Sequence, residues 1–392
     1  MIRRIINPLE SDSFFIFGAR GTGKSTFVQS QFFSSYDENQ VWHIDLLNDD
    51  IFERYSRKPS LLESDFKELK QKPAWIFIDE VQKVPELLNH VHRMIENNKL
   101  KFILSGSSAR KLKVVGANLL AGRAFMNFMY PMTYLELKTS FSLEDVLHWG
   151  SLPKTIGAST EQKMSYLRSY VLTYIKEEVL LEHFIKNLEP FRDFLEVAAQ
   201  MNGKIINFSK IAKEVGSDDK TIKNYYSILE DTLLGFYLPA FHKSIRKGQS
   251  QHPKFYFFDL GIKRAIDRTY HDRFSPGTVA FGDAFEHLVV LEVFRLNSYL
   301  NKDFRISYFR TKEDKEIDLV LTRSRKTMAI EIKSRDKIDF DEVKKLKPLA
   351  KEIGATEIFY LSRDPHSTNI EGVHCLPWQK GIEVIFSLEN SP

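Results

Sequence analysis

The chain has 392 residues, 43% of them hydrophobic, with 56 basic against 52 acidic side chains and a net charge of +4. That length exceeds one compact core, and the mild charge excludes a strongly basic coat, so any nucleic-acid footprint must be local. The single cysteine, Cys375, rules out an intramolecular disulfide; no apolar run approaches a bilayer span and the first residues lack a signal-peptide core, so a cytoplasmic protein without membrane contact is expected.

Residues 1–130 alternate short apolar runs with helical stretches, which predicts a parallel α/β sheet. Strands are expected at Phe14–Phe17, Val41–Asp45, Ala74–Asp79, Phe102–Ser105 and Phe125–Met129, their unbroken apolar character suiting a sheet covered on both faces. Directly after the first strand comes Gly18-Ala19-Arg20-Gly21-Thr22-Gly23-Lys24-Ser25-Thr26. Strand, glycine-rich loop and helix in this order form a cradle for phosphate. The glycines let the backbone wrap phosphate oxygens, Lys24 reaches the β/γ-phosphates and Ser25 ligates Mg²⁺. The expected cofactors are therefore ATP and Mg²⁺.

The strand Trp75-Ile76-Phe77-Ile78 ends in Asp79-Glu80, the form of a Walker B strand. Asp79 is expected to hold Mg²⁺ through water, and Glu80 to polarise the attacking water. The next strand ends in Ser105-Gly106-Ser107-Ser108. Ser107 is the candidate γ-phosphate sensor, with Ser108 or helix capping as alternatives. Arg110 and Arg123 follow, and Arg123 is the preferred arginine finger because Gly122 permits close backbone approach.

These motifs, with Tyr130-Pro131-Met132-Thr133-Tyr134-Leu135-Glu136, resemble prokaryotic AAA+ ATPases of the archaeal-ATPase/STAND-like group over nearly the whole chain. The resemblance implies oligomers, hexameric rings among them, with ATP at subunit interfaces. Where the group shows Gly-Gly-x-Pro, this chain has Gly150-Ser151-Leu152-Pro153, which puts the local turn in question.

From Tyr134 to about Met201 the pattern is helical, with 161–184 the longest candidate, and reads as a lid or connector. Phe208–Gly216 reads as a short helix with Ser209 as its N-cap, and Asp218 or Asp219 caps a second helix over 220–231. Ile222, Tyr225, Tyr226 and Leu229 share the inner face; Lys220, Thr221, Lys223 and Asn224 share the outer one. Gly235–Leu238 and Lys254–Phe257 suit a hairpin whose loop carries Lys243, Arg246 and Lys247. A helix–turn–helix with a basic wing predicts DNA contact through Lys220, Thr221, Lys223, Asn224, Arg246 and Lys247. Docking of a protein partner is the alternative.

The remainder returns to α/β: helix 281–299, strands near 306–310, 317–321 and 328–332, helix 340–353 and strand 357–361. Asp318, followed on the next strand by Glu331-Ile332-Lys333, resembles the PD-(D/E)XK nucleases. The resemblance implies that Glu286, Asp318 and Glu331 gather around Mg²⁺, with Lys333 positioning the attacking water. Two alternatives are a DNA-clamping relic and a plain ion pair between Glu331 and Lys333.

The expected architecture is α/β: a P-loop AAA+ core over 1–133, a helical lid or connector over 134–201, a winged helix–turn–helix over 202–260 and a restriction-endonuclease-like domain over 261–392. The expected function is ATP-driven remodelling of, translocation on or cleavage of DNA, branched DNA included. The alternative is a regulatory NTPase switch that binds protein partners and does not cleave.

Overall fold

The computed structural model describes residues 2–108, 120, 122–175, 189–242 and 252–388. They divide into two compact units: Met1–Met132 with Ile228–Leu234, and Thr133–Ser227 with Gly235–Pro392.

The first unit is built on a five-stranded parallel sheet of order β2-β3-β4-β1-β5. Its strands are β1 (Ser13–Phe17), β2 (Val41–Asp45), β3 (Trp75–Asp79), β4 (Lys101–Gly106) and β5 (Ala124–Phe128). Every residue of β1 and β3 is buried, as the unbroken apolar runs require for strands covered on both faces. Phe15, Phe17, Ile76, Ile78, Phe102 and Leu104 form one core with Leu87, Leu88 and Val91 of helix Leu87–Asn98. Each such side chain contributes about 1.5–3 kcal/mol on burial. Because all five strands run parallel, the C-terminal ends of β1, β3 and β4 lie together. The phosphate loop, the acidic pair and the serine run therefore share one edge.

The second unit opens with the helices Leu143–Trp149, Thr160–Ser169 and Glu189–Gln200. The long helix expected over 161–184 instead changes at Tyr170 to a π-helical stretch through Ile175, and its remaining expected residues lie outside those described. Helices Phe208–Val215 and Asp219–Asp231 precede the antiparallel pair β6 (Gly235–Leu238) and β7 (Lys254–Phe257). Next come helix Leu260–Ile266 and the 21-residue helix Val279–Tyr299. A six-stranded mixed sheet of order β12-β13-β11-β10-β9-β8 completes the unit. Its strands are β8 (Arg305–Arg310), β9 (Glu316–Arg323), β10 (Lys326–Ile332), β11 (Glu357–Ser362), β12 (Thr368–Ile370) and β13 (Val373–Pro377). Helix Phe340–Ile353 packs Val343, Leu346 and Ala350 against Val320, Ala329 and Tyr360. Nothing in the sequence pattern pointed to β12, β13 or the closing helix Trp378–Phe386.

A buried polar network ties the second unit together. Asp259 is fully buried, caps helix Leu260–Ile266 through Ile262 N at 3.1 Å and accepts from Ser151 N at 2.8 Å. Burial pushes its carboxyl up from the usual range. Arg295 donates to Ser151 Oγ at 3.1 Å and to the Phe258 carbonyl at 2.8 Å, and lies 3.6 Å from Glu292. Glu292 Oε2 in turn accepts from Tyr134 N at 3.2 Å. The turn in question is thus well defined: Gly150 adopts a left-handed φ of 73°, where a Cβ would collide with Asp259. Ser151 then adds a hydroxyl contact to Arg295 that glycine lacks.

Candidate functional sites at the phosphate loop and in an acidic cluster

The phosphate loop leaves β1 and enters helix Lys24–Ser30 through Gly21 and Gly23, at φ of 81° and 93°. Those angles suit glycine and little else. A Cβ on Gly18 would strike the Met129 carbonyl, so the backbone approach there is as tight as expected. Lys24 is 5% exposed, and its ammonium donates to the Gly18 carbonyl at 2.8 Å, curled over its own loop. Thr22 Oγ1 donates to the Ala19 carbonyl at 2.8 Å. Ser25 is half-buried at the helix start, while Arg20 and Thr26 are exposed.

Arg4, which no local pattern marked, braces this loop from outside. Its guanidinium donates to the Thr22 carbonyl at 2.7 Å and the Tyr130 carbonyl at 2.6 Å. Its own backbone is held at both ends by Gln31, at 2.9 and 3.1 Å.

Asp79 ends β3 buried at 4% exposure and accepts a hydrogen bond from Ser105 Oγ. Glu80 follows in a left-handed conformation with φ of 59°, its N–H donating to the same Ser105 Oγ at 3.1 Å. Gln82 Nε2 donates both to Glu80 Oε2 and, at 3.0 Å, to Ser107 Oγ. Ser105, not singled out from the sequence, is therefore the serine that fixes the acidic pair. Ser107 reaches it through Gln82, and Ser108 donates to the Asp231 carbonyl at 3.2 Å.

Arg123 pairs with Glu96 of helix Leu87–Asn98 and holds that carboxyl below its usual range. Among the described residues Gly122 shows no close approach: at φ of 75° an added Cβ meets none of them within 4 Å. Arg110 lies outside the described residues.

In the second unit, β9 and β10 are antiparallel neighbours with Leu319 opposite Ile330, which sets Asp318 beside Glu331. Asp318 Oδ2 accepts from Ile332 N at 2.7 Å. Lys333 places its ammonium 2.5 Å from Glu331 and 3.7 Å from Asp318. Glu286, on helix Val279–Tyr299, accepts from Tyr256 Oη at 2.6 Å and lies 3.5 Å from the buried ammonium of Lys254, which also pairs with Glu316. Lys254 and Tyr256 belong to β7, read from sequence only as part of a wing. The cluster thus holds carboxylates Glu286, Glu316, Asp318 and Glu331 with two lysines threaded between them.

Burial and the neighbouring Asp318 charge push Glu286 up to about 7 and Glu331 up to about 8. The same carboxylates raise Lys254 and Lys333 above the usual lysine value, outweighing burial. Glu331 Oε2 is buried without a hydrogen-bond partner among the described residues. Glu316, Glu331, Lys333 and Lys345 line one cavity of about 340 Å³.

Of the candidate DNA contacts, Lys220, Lys223 and Asn224 are exposed, and Ile222, Tyr225, Tyr226 and Leu229 are buried beneath them. Asp218 caps the second helix, accepting from Lys220 N at 2.9 Å and Thr221 N at 3.0 Å. Thr221 also commits its hydroxyl to Asp218 at 2.7 Å. The first helix is capped by Asn207 through Lys210 N at 3.0 Å rather than by Ser209, whose hydroxyl donates to Asp219 at 2.6 Å. The helix begins at Phe208, two residues too early for Ser209 to cap it. Lys243, Arg246 and Lys247 lie outside the described residues.

Among the described residues no three His, Cys, Asp or Glu side chains gather into a metal site. The two candidate Mg²⁺ sites respond differently to that fact. The phosphate loop asks only for Ser25 and Asp79, phosphate oxygens supplying the rest, and so fits. The acidic cluster asks for Glu286, Asp318 and Glu331 together, and ammonium groups already sit against all three carboxylates. It does not fit.

Residues 10–138 match a family model described as "AAA domain". Two models described as domains of unknown function match residues 140–272 (DUF8612) and 281–380 (DUF4143). An uncharacterized protein of Mycobacterium tuberculosis is 24% identical over 264 residues, covering 66% of this chain and 58% of that protein. The chain therefore spans little more than half the length of its mycobacterial relatives. An uncharacterized protein of Haemophilus influenzae is 22% identical, covering 92% of both chains. Among solved structures, the Aeropyrum pernix ORC1 protein in complex with DNA aligns over 66% of this chain and 86% of that one, at 10% identity and a TM-score of 0.27, too low to bear on fold or ligand. The N-terminal unit, a parallel α/β sheet with the phosphate loop at the C-terminal ends of its strands, is therefore similar to an AAA domain over residues 10–138. No helix among the described residues is long and apolar enough to cross a membrane.

Proposed function

We propose that this chain is an ATP-hydrolysing AAA+ protein that acts on DNA, remodelling or translocating on it as subunit geometry changes with each turnover. The observation that carries the reading is the convergence of Lys24, Asp79 and Glu80 at one sheet edge, with Ser105 bonded to both acids. Lys24 leaves the Gly18 carbonyl for the β/γ-phosphates when nucleotide enters. Glu80 orients and deprotonates the attacking water. Ser25 and Asp79 would hold Mg²⁺, which would neutralise charge on the phosphates.

Residues 202–260, proposed as a winged helix–turn–helix, grip DNA with Lys220, Lys223 and Asn224, joined by Arg246 and Lys247. Residues 261–392, proposed as a PD-(D/E)XK-like fold, grip without cutting, because Lys254 and Lys333 stand against the carboxylates that cleavage would need for metal. In a homo-oligomer, Arg123 exchanges Glu96 for a neighbour's γ-phosphate.

A second reading is a nucleotide switch whose C-terminal domains bind protein. The use of Thr221 for capping rather than for a base edge favours it. One experiment separates them: ATP turnover and gel-resolved binding, strand separation and cleavage on single-stranded, duplex and branched DNA, with Lys24→Ala and Glu80→Gln as controls. DNA-stimulated turnover lost in both variants supports the first reading. Turnover indifferent to every DNA, with no DNA bound, selects the second.

A further inference from the structure

Gln82 sits in the 3-10 turn Val81–Lys83 directly after the acidic pair and is 5% exposed. Both hydrogens of its amide are committed, one to Glu80 Oε2 and one to Ser107 Oγ. An ionised carboxylate can only accept, so the end of the amide that meets Glu80 must be its N–H end. The other end, Oε1, is buried with no hydrogen-bond partner among the described residues. It lies against Gly106, where an added Cβ would come within 2.7 Å of it. The Gly106 carbonyl accepts from the N–H of Gly18, the first glycine of the phosphate loop, at 3.2 Å. An unpaired amide oxygen therefore lies against Gly106, which bonds the first glycine of the phosphate loop, while the other end of the same amide holds Glu80. A buried acceptor without a donor is costly, and a donor arriving with the substrate removes that cost.

We propose that this donor is the attacking water, and that Gln82 is a second catalytic residue of ATP hydrolysis. One water hydrogen goes to Glu80, the other to Gln82 Oε1, which aims an oxygen lone pair at the γ-phosphorus. The water oxygen bonds to phosphorus as the bond to the β-phosphate bridging oxygen breaks. Glu80 takes the proton, and ADP leaves with the electron pair. Ser107 acts through Gln82, holding the amide in register.

The proposal rests on the ATPase reading, so the test carries Glu80→Gln as its reference. Steady-state ATP turnover and mant-ATP binding are measured on the full chain with Mg²⁺. Gln82→Ala is expected to lower kcat about 10- to 100-fold, as loss of one orienting group does, with KM and mant-ATP affinity within about twofold of wild type. Gln82→Glu, which keeps shape but sets like charge against Glu80, falls at least as far. Turnover within about twofold of wild type in either variant overturns the proposal, as does parallel loss of mant-ATP binding, which marks a packing role. Turnover undiminished in Glu80→Gln refutes the ATPase reading itself.

Discussion

The edge of the first sheet and the acidic cluster of the second unit solve the same electrostatic problem in opposite ways. Both put carboxylates at or near the ends of buried strands, where charge is costly. At the first, the donors to the acids among the described residues are neutral: the Ser105 hydroxyl to Asp79 and the Gln82 amide to Glu80. Positive charge is left to be supplied with the substrate. In the second, Lys254 and Lys333 supply it permanently, and Glu286 and Glu331 keep their protons toward neutral pH. A carboxylate left with neutral donors and a carboxylate paired with lysines of its own chain look alike in a motif. Their neighbours distinguish them.

The largest expected effect is at the unsatisfied site. Glu80→Gln should lower kcat by about 10²–10⁴ while mant-ATP binding persists; unaltered turnover would erase the contrast at its source. Next is the resident cation. Lys254→Met leaves the half-buried Glu286 and Glu316 without it and should destabilise the protein by about 3 kcal/mol, read from urea unfolding. If wild-type protein without nucleotide binds Mn²⁺ by electron paramagnetic resonance, and Glu331→Gln abolishes that signal, the cluster is a metal site after all.

Acidity sharpens the comparison further. Glu331 and Glu286 sit above their ordinary value when folded, so the folded state holds protons that the unfolded state has released. Stability from these groups is complete below about pH 4.5 and declines as pH rises through 7 to 8. Glu292, pushed to about 8 by burial, runs the same way. Thermal unfolding followed across that range should therefore show a falling midpoint, which Glu331→Gln flattens in part.

Arg4→Ala removes two hydrogen bonds to loop carbonyls and should weaken mant-ATP binding about tenfold, the scale of one or two charge-assisted bonds. Smallest is Arg123→Ala. Its exposed pair with Glu96 is screened by solvent, so stability should barely move. A collapse of turnover only at concentrations where subunits assemble would establish the finger; full turnover in the assembled state would remove it.

The strands around the nucleotide were legible within a residue or two because their apolar runs are unbroken, and the phosphate loop because its glycines are dictated by backbone angle. What escaped is whatever depends on chain return. Arg4 reaches Thr22 and Tyr130 only once β1 and β5 are paired. Lys254 and Tyr256 meet Glu286 only because β7 comes to lie beside helix Val279–Tyr299. Gln82 was two residues from a motif and carried no periodicity of its own. Asn207 displaced Ser209 as a cap because both side chains suit the role and two residues of helix register decide between them.

The network through Ser151, Asp259, Glu292 and Arg295 bears on how the protein can be taken apart. Its members come from the Gly150 turn, the start of helix Leu260–Ile266 and the middle of helix Val279–Tyr299, three places that a sequence-based dissection at 201 or 260 would assign to separate fragments. Any such cut strands a buried guanidinium or carboxylate in one piece while its counterpart leaves with the other. Fragments beginning at residue 202 or 261 should therefore express as insoluble or partly structured chains, whereas one beginning at Thr133 retains every partner of Arg295 named here.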